Sequence, residues 1–218
     1  MSFLLYTPIL PEIVLTIASM CLLIIGVFRR NERTYTAISN LAILSLLIVL
    51  LTIVTGRVPE GVSFGGSLIT DSFSLYLKTL ILVSSLIILV VSNIYLKNIN
   101  LLKFEYIILI LLSVVGMMIM VSSNDLISLY LSIELQSLPL YVLASIRNKS
   151  LKSTESGLKY FVLGALSSCI LLYGLSLIYG YTGSIYYTEI ASNLYEYDIG
   201  ILIGLAFALA GFAFKISA

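Results

Sequence analysis

Runs of about 20 mainly apolar residues recur along the chain, at 8–28, 35–54, 73–94, 104–121, 126–146, 156–179 and 199–218, with short polar interruptions between them. At 1.5 Å per residue, each run is long enough to cross the roughly 30 Å hydrocarbon layer as a helix. A helix also satisfies its own backbone polar groups inside lipid, so the pattern predicts an all-α, polytopic transmembrane helix bundle of seven spans. The first run has no basic segment ahead of it, and Arg29, Arg30 and Arg33 follow it instead. It is therefore expected to stay as a helix and not to be a cleaved signal peptide.

The interruptions alternate in charge. The first, third and fifth carry Arg29, Arg30 and Arg33, then Lys97 and Lys103, then Arg147, Lys149 and Lys152, with Glu32 among them. The second carries Arg57, Glu60 and Asp71, the fourth Asp125, and the sixth Glu189, Glu196 and Asp198. Short loops on the cytoplasmic or matrix side collect Lys and Arg, so the alternation predicts an N-out topology. Removing or adding one span would reverse every later sign. Segment 55–72, with Gly56, Pro59, Gly61, Gly65 and Gly66, reads as an irregular outer crossing. In segment 181–198, Tyr181, Tyr186, Tyr187, Tyr195 and Tyr197 suit a headgroup interface, with a short surface helix there.

Composition sharpens this. Of 218 residues, 60% are hydrophobic and 11% charged, against about 25% charged in a soluble domain. A net charge of +1 supplies no basic stripe, so no nucleic-acid partner is expected; the partner on all sides is lipid. Histidine is absent, and Cys21 and Cys169 lie in apolar runs, where they read as small buried thiols. A zinc, haem or iron-sulfur site built by this chain is not expected. Met117, Met118 and Met120 read as apolar filling.

The informative residues are ionisable groups inside the spans. Glu134 lies about 12 Å into the fifth span, near the midplane, in Ser132-Ile133-Glu134-Leu135-Gln136-Ser137-Leu138-Pro139. A carboxylate there needs a cation, water or polar neighbours, which favours an ion or proton pathway over the alternative of a structural polar contact between helices. Pro139 frees the carbonyl of Leu135, either as a kink for packing or as a polar group beside Glu134. Lys159, near the inner start of the sixth span, either snorkels to headgroups or faces Glu134. Lys215 is either an inner-edge anchor or a titratable group of the bundle interior. Glu12 and Glu105 sit near helix starts, where a carboxylate meets free backbone donors. Lys78, about five residues into the third span, is expected to snorkel to the outer water.

The motifs Phe104-Glu105-Tyr106, Ser122-Ser123-Asn124-Asp125-Leu126 through Glu134-Leu135-Gln136-Ser137-Leu138, Glu155-Ser156-Gly157-Leu158-Lys159-Tyr160-Phe161-Val162-Leu163-Gly164-Ala165 and Gly211-Phe212-Ala213-Phe214-Lys215-Ile216-Ser217-Ala218 carry a family resemblance. From residue 104 onward the chain resembles the antiporter-like membrane subunit of respiratory complex I, the proton-pumping NADH:quinone oxidoreductase, called subunit 2 in mitochondria and subunit N in bacteria. The leading segment, with Pro11-Glu12, resembles it more loosely. The resemblance implies an antiporter-like half-module: three leading helices over 1–103, and over 104–218 the first part of a proton-channel repeat that breaks off within its seventh helix. It also implies that Glu134, Lys159 and Lys215 are proton-relay residues, the glutamate modulating the adjoining lysine.

By the same resemblance the chain is a non-redox subunit that binds no cofactor. NADH, FMN, iron-sulfur clusters and ubiquinone act elsewhere in the complex. The implied partners are other membrane-arm subunits and a second polypeptide supplying the C-terminal half, unless the sequence is a fragment. Richness in Ile, Leu, Tyr and Asn favours the mitochondrial inner membrane, with the bacterial plasma membrane as the alternative. Two other functions stand beside the proton channel: an assembly scaffold without an active channel, and a freestanding cation/proton antiporter.

Overall fold

The apolar runs fold as helices in a computed structural model that describes residues 7–28, 32–99, 101–147, 150–193 and 199–216. The helices are α1 (Leu10–Phe28), α2 (Glu32–Val54), α3 (Ser72–Asn98), α4 (Phe104–Ser122), α5 (Leu126–Ala144), α6 (Leu151–Thr182), the short α7 (Tyr187–Asn193) and α8 (Ile199–Lys215). Helices α1 to α6 are each long and apolar enough to cross a membrane, and the 17-residue α8 is a shorter apolar helix. The chain is a multi-pass membrane protein in which six of the seven expected spans are long enough to cross, and the seventh falls on the shorter α8. Arg29, Arg30, Lys149, Tyr195, Glu196, Tyr197, Asp198 and Ala218, and the side chains of Glu32 and Arg33, lie outside the described residues.

Capping residues set the starts of two spans that outgrow their apolar runs. Asp71 caps α3, its carboxylate accepting from the Ser74 amide at 2.8 Å while the Ser74 hydroxyl accepts from the Asp71 amide at 2.9 Å. Helix α6 starts four residues after Arg147 with Ser150 as its cap and stops at Gly183, whose φ of +70° terminates it. Segment 55–72 is more regular than its glycines suggest. It holds a small antiparallel hairpin, β1 (Gly61–Ser63) against β2 (Leu68–Thr70), with Gly65 at φ +66° and Gly66 at φ +105° making the reversal. Polar backbone at the membrane surface thereby pairs with itself.

The hairpin brings all the even-numbered loops together. Asn124, between α4 and α5, donates from its backbone to Ser67 at 2.8 Å and from its side chain to Gly66 at 2.9 Å. Leu126 donates to Ile185 at 3.1 Å, and the Tyr186 and Tyr187 hydroxyls donate to the carbonyls of Gly65 and Asp125. At the opposite end, the Lys103 ammonium donates to the Ile146 carbonyl at 2.6 Å, joining the third and fifth loops. Among the described residues the even-numbered loops therefore gather at one end and the third and fifth at the other; the N-out expectation from loop charge makes the even end the outer one.

Beneath this cap, Leu15, Ile38, Leu46, Leu82, Leu111 and Met118 form a core shared by α1 to α4. Ile133, Leu171, Leu175 and Ala208 form a second core between α5, α6 and α8. Cys21 and Cys169, expected to be buried, are both exposed. An apolar run does not tell which face of a membrane helix packs inward, because lipid-facing positions are apolar too.

Candidate functional site

Three helices deliver polar groups to one point beside the second core. Helix α5 starts at Asp125, whose carboxylate accepts from the Ser128 amide at 2.6 Å, and Glu134 follows over two turns later. At this level α4 and α5 touch backbone to backbone: a Cβ on Gly116 would stand 2.6 Å from the Gln136 nitrogen and 3.0 Å from the Leu135 carbonyl carbon. Close approach through small residues is how helices associate in lipid, where no hydrophobic force drives them together. Pro139 sits inside α5 one turn on, so the Leu135 carbonyl lacks its helical donor.

Helices α6 and α8 cross equally closely. A Cβ on Gly174 would lie 2.5 Å from the Ala208 nitrogen, one on Gly211 would lie 2.7 Å from the Leu171 Cβ, and the Ser167 hydroxyl donates to the Gly211 carbonyl at 3.2 Å. This crossing carries Lys215, in the last turn of α8, to Glu134. Their charged atoms stand 2.7 Å apart, with the side chains 14% and 20% exposed. The Ser168 hydroxyl of α6 donates to the same Glu134 oxygen at 2.5 Å, and the ammonium donates to the Ser137 Oγ at 3.3 Å. Lys215 is thus a bundle residue and not an edge anchor.

Such a group can move a proton. The carboxylate accepts, the ammonium donates, and two hydroxyls can pass or hold a hydrogen bond while the pair forms and breaks. Ser168→Ala removes a hydrogen bond to a charged group, worth about 1.5–3 kcal/mol. At roughly 2–4 °C per kcal/mol, the thermal denaturation midpoint of the bundle is expected to fall by several degrees.

Lys159 does not join this group. It pairs with Glu155 at 2.5 Å, one helical turn back, with the two side chains 66% and 61% exposed. Helical phase explains the separation. Lys159 precedes Ser168 by nine residues, which at about 100° each place it on the opposite side of α6, some 13.5 Å along the axis.

The structure also corrects two readings near the outer rim. Lys78 does not snorkel: it is fully buried and its ammonium lies 2.7 Å from Glu12, itself 3% exposed. Glu12 serves this pair instead of the backbone donors of its own helix start. Sequence depth misled in both cases, because the hairpin closes over the helix ends that a bare span count leaves open. The missed signal was the matching depth of one acid and one base in two spans that enter from the same side.

With this geometry in place, residues 123–218 match the family model described as NADH:quinone oxidoreductase/Mrp antiporter, TM. The chain is 46% identical over 211 residues to NADH-quinone oxidoreductase subunit N 1 of Rhizobium meliloti (strain 1021), covering 96% of this chain and 44% of that protein. It is 46% identical over 216 residues to NADH-quinone oxidoreductase subunit N of Rhodospirillum rubrum, covering 97% and 44%. Among solved structures it is similar to a chain of respiratory complex I from Thermus thermophilus with bound aureothin, at 26% identity and a TM-score of 0.76, over 94% of this chain and 44% of that one. A chain of the archaeal membrane-bound sulfane sulfur reductase shares the fold at 21% identity and a TM-score of 0.73. The chain spans 44% of the length of these curated relatives.

Proposed function

Since the chain belongs to the subunit N family of NADH-quinone oxidoreductases, aligning with the N-terminal half of its relatives, we propose that it contributes half of a proton channel to the membrane arm of that enzyme. The observation that carries this reading is the Glu134–Lys215 contact at 2.7 Å, held at mid-span by Ser168 and Ser137. An acid and a base paired within a bundle form a natural relay station, because a small change in hydration or in a neighbouring charge decides whether the pair stays closed. Lys159, on the exposed side of α6, is a second station reached through a neighbouring segment and not through Glu134 directly. Residues 1–103 form the leading helical unit of this half-module, and 104–218 the channel-forming part.

The chain works without redox chemistry of its own. NADH, FMN, iron-sulfur clusters and ubiquinone belong to other parts of the enzyme, and its partners are other membrane-arm subunits together with the segment, on this polypeptide or a second one, that completes the fold. The named relatives being bacterial supports the bacterial plasma membrane over the mitochondrial inner membrane that composition favours.

The test is Glu134→Gln in the assembled enzyme. Proton pumping per NADH oxidised is expected to fall clearly while the amount of assembled complex stays near that of the unaltered enzyme. Unchanged pumping would sink the proposal, and loss of assembly with normal pumping per complex would favour the scaffold role. Isolation of the chain as a freestanding transporter, without a quinone-reducing complex, would assign it to the antiporters.

A further inference from the structure

The relay leaves the Glu12–Lys78 pair unused, although it is more deeply buried than Glu134–Lys215. Its surroundings follow from helix geometry. Asp71, Ser74 and Lys78 are spaced by three and four residues, so they form one stripe along α3. Seven residues bring Lys78 within about 20° of the phase of Asp71 and about 10.5 Å deeper. Helical side chains lean toward the N-terminus, which aims the Lys78 ammonium back toward the outer rim and Asp71. Helix α1 brings Glu12 in from the same rim, because the Thr70 hydroxyl, one residue before Asp71, donates to the Pro8 carbonyl one turn ahead of Glu12.

The ends of this stripe differ. At the rim, Asp71 is exposed and its carboxyl is held below the usual range, first by the Ser74 amide and, among smaller contributions, by the positive charge of Lys78. Near the start of α3 the exposed ionisable groups are Glu60, which accepts a hydrogen bond from the Ser72 hydroxyl, and Arg57 and Tyr76; farther round the cap, Asp125 is buried and accepts from Ser128, and the Tyr186 and Tyr187 hydroxyls donate to backbone carbonyls. The outer halves of α2 and α4 bring no ionisable side chain among the described residues. On the deep side, Leu82 and Leu89 are 0% and 1% exposed and fill the same face of α3. The hydroxyls of Ser19 and Ser85 donate to carbonyls of their own helices. The stripe therefore runs from one exposed carboxylate, Asp71, past the buried Ser74 and Lys78 to a closed apolar end at Leu82.

We propose that Lys78 is a movable counter-cation shared by two carboxylates, Glu12 inside the bundle and Asp71 at the rim, and that the three form a proton-exchange site that meets outer water at Asp71 and is separate from Glu134–Lys215. A proton from outer water binds a Glu12 carboxylate oxygen, and Lys78, keeping its three protons, swings to Asp71. The return of Lys78 to Glu12 sends the proton back to the rim. No other atom changes partner. Within the family reading, this gives the leading helices a proton-handling role; the site itself rests on α1 and α3 and not on the channel assignment.

The test is covalent labelling of native membranes with N,N′-dicyclohexylcarbodiimide, a lipid-soluble reagent that adds to protonated carboxyl groups, followed by mass spectrometry of the peptide containing Glu12. Glu12 is expected to label in the unaltered protein. Lys78→Met, which leaves it no cation, should raise labelling several-fold. Asp71→Asn should lower it several-fold, because Lys78 then has a single carboxylate to serve; Asn caps helices as well as Asp, so α3 keeps its start. Glu134→Gln should leave the label unchanged. An unlabelled Glu12 in the unaltered protein, or equal labelling with and without the Asp71 charge, overturns the proposal and leaves Glu12–Lys78 as a fixed clasp. Loss of the label in Glu134→Gln overturns the separateness of the two sites. The comparison of unaltered protein with Asp71→Asn decides the matter even where Lys78→Met does not assemble.

Discussion

Lys215→Met in the assembled enzyme is expected to abolish proton translocation, the largest functional effect of any single change considered. The substitution keeps the volume of the side chain and removes the cation from a pair whose members are only 14% and 20% exposed. Removing one partner of a buried pair costs about 3–5 kcal/mol, because the remaining charge is left uncompensated. A rate penalty of that order exceeds two powers of ten, since each 1.36 kcal/mol is tenfold. Proton uptake by proteoliposomes during NADH oxidation is the measurement, and pumping above half the normal rate would remove Lys215 from the relay. The double change Glu134→Gln with Lys215→Met takes out both charges. It should recover assembly relative to Lys215→Met alone without restoring pumping, the non-additivity expected of residues in contact or in one charged network.

Gly116→Leu is the largest expected structural effect. The first added carbon alone would stand 2.6 Å from the Gln136 nitrogen and 2.9 Å from its Cα. Both neighbours are backbone, so no side chain can turn aside, and α4 must separate from α5 along the stretch that carries Glu134. Overpacking typically costs about 1–3 kcal/mol, and a leucine forced between two backbones belongs at or above the upper end. The altered chain is expected to be nearly absent from assembled complex on native gels, with Gly116→Ala intermediate. Normal accumulation of the leucine variant would show that this crossing does not hold the site.

What the sequence revealed divides along physical lines. The run of helices and the gathering of alternate loops at one end were legible because hydrophobic length and loop charge are local quantities, each written in a continuous stretch. Glu134 was legible because a carboxylate at mid-span has a high cost wherever its partner lies. The partner was not legible. Lys215 reaches Glu134 only because Gly174 and Gly211 allow α8 to lie against α6, and a crossing between helices leaves no trace in the periodicity of either one. Lys159 looked equivalent to Lys215 until helical phase separated them. The Glu12–Lys78 pair was misread because depth along one helix says nothing about what covers its end. The resemblance pointed to Glu134, Lys159 and Lys215 in the part from residue 104 onward and was silent on this pair.

The knitted outer cap constrains how either charge pair can work. Backbone hydrogen bonds join the hairpin before α3, the turn before α5 and the loop after α6, so sliding one span along another at that end would tear several of them at once. Each buried bond lost without replacement costs about 1–3 kcal/mol, more than a change of charge pairing readily supplies. The joined ends of these spans therefore behave as a single plate, and the roles proposed for the two pairs call for swinging side chains and admitted water, with the helices staying in register.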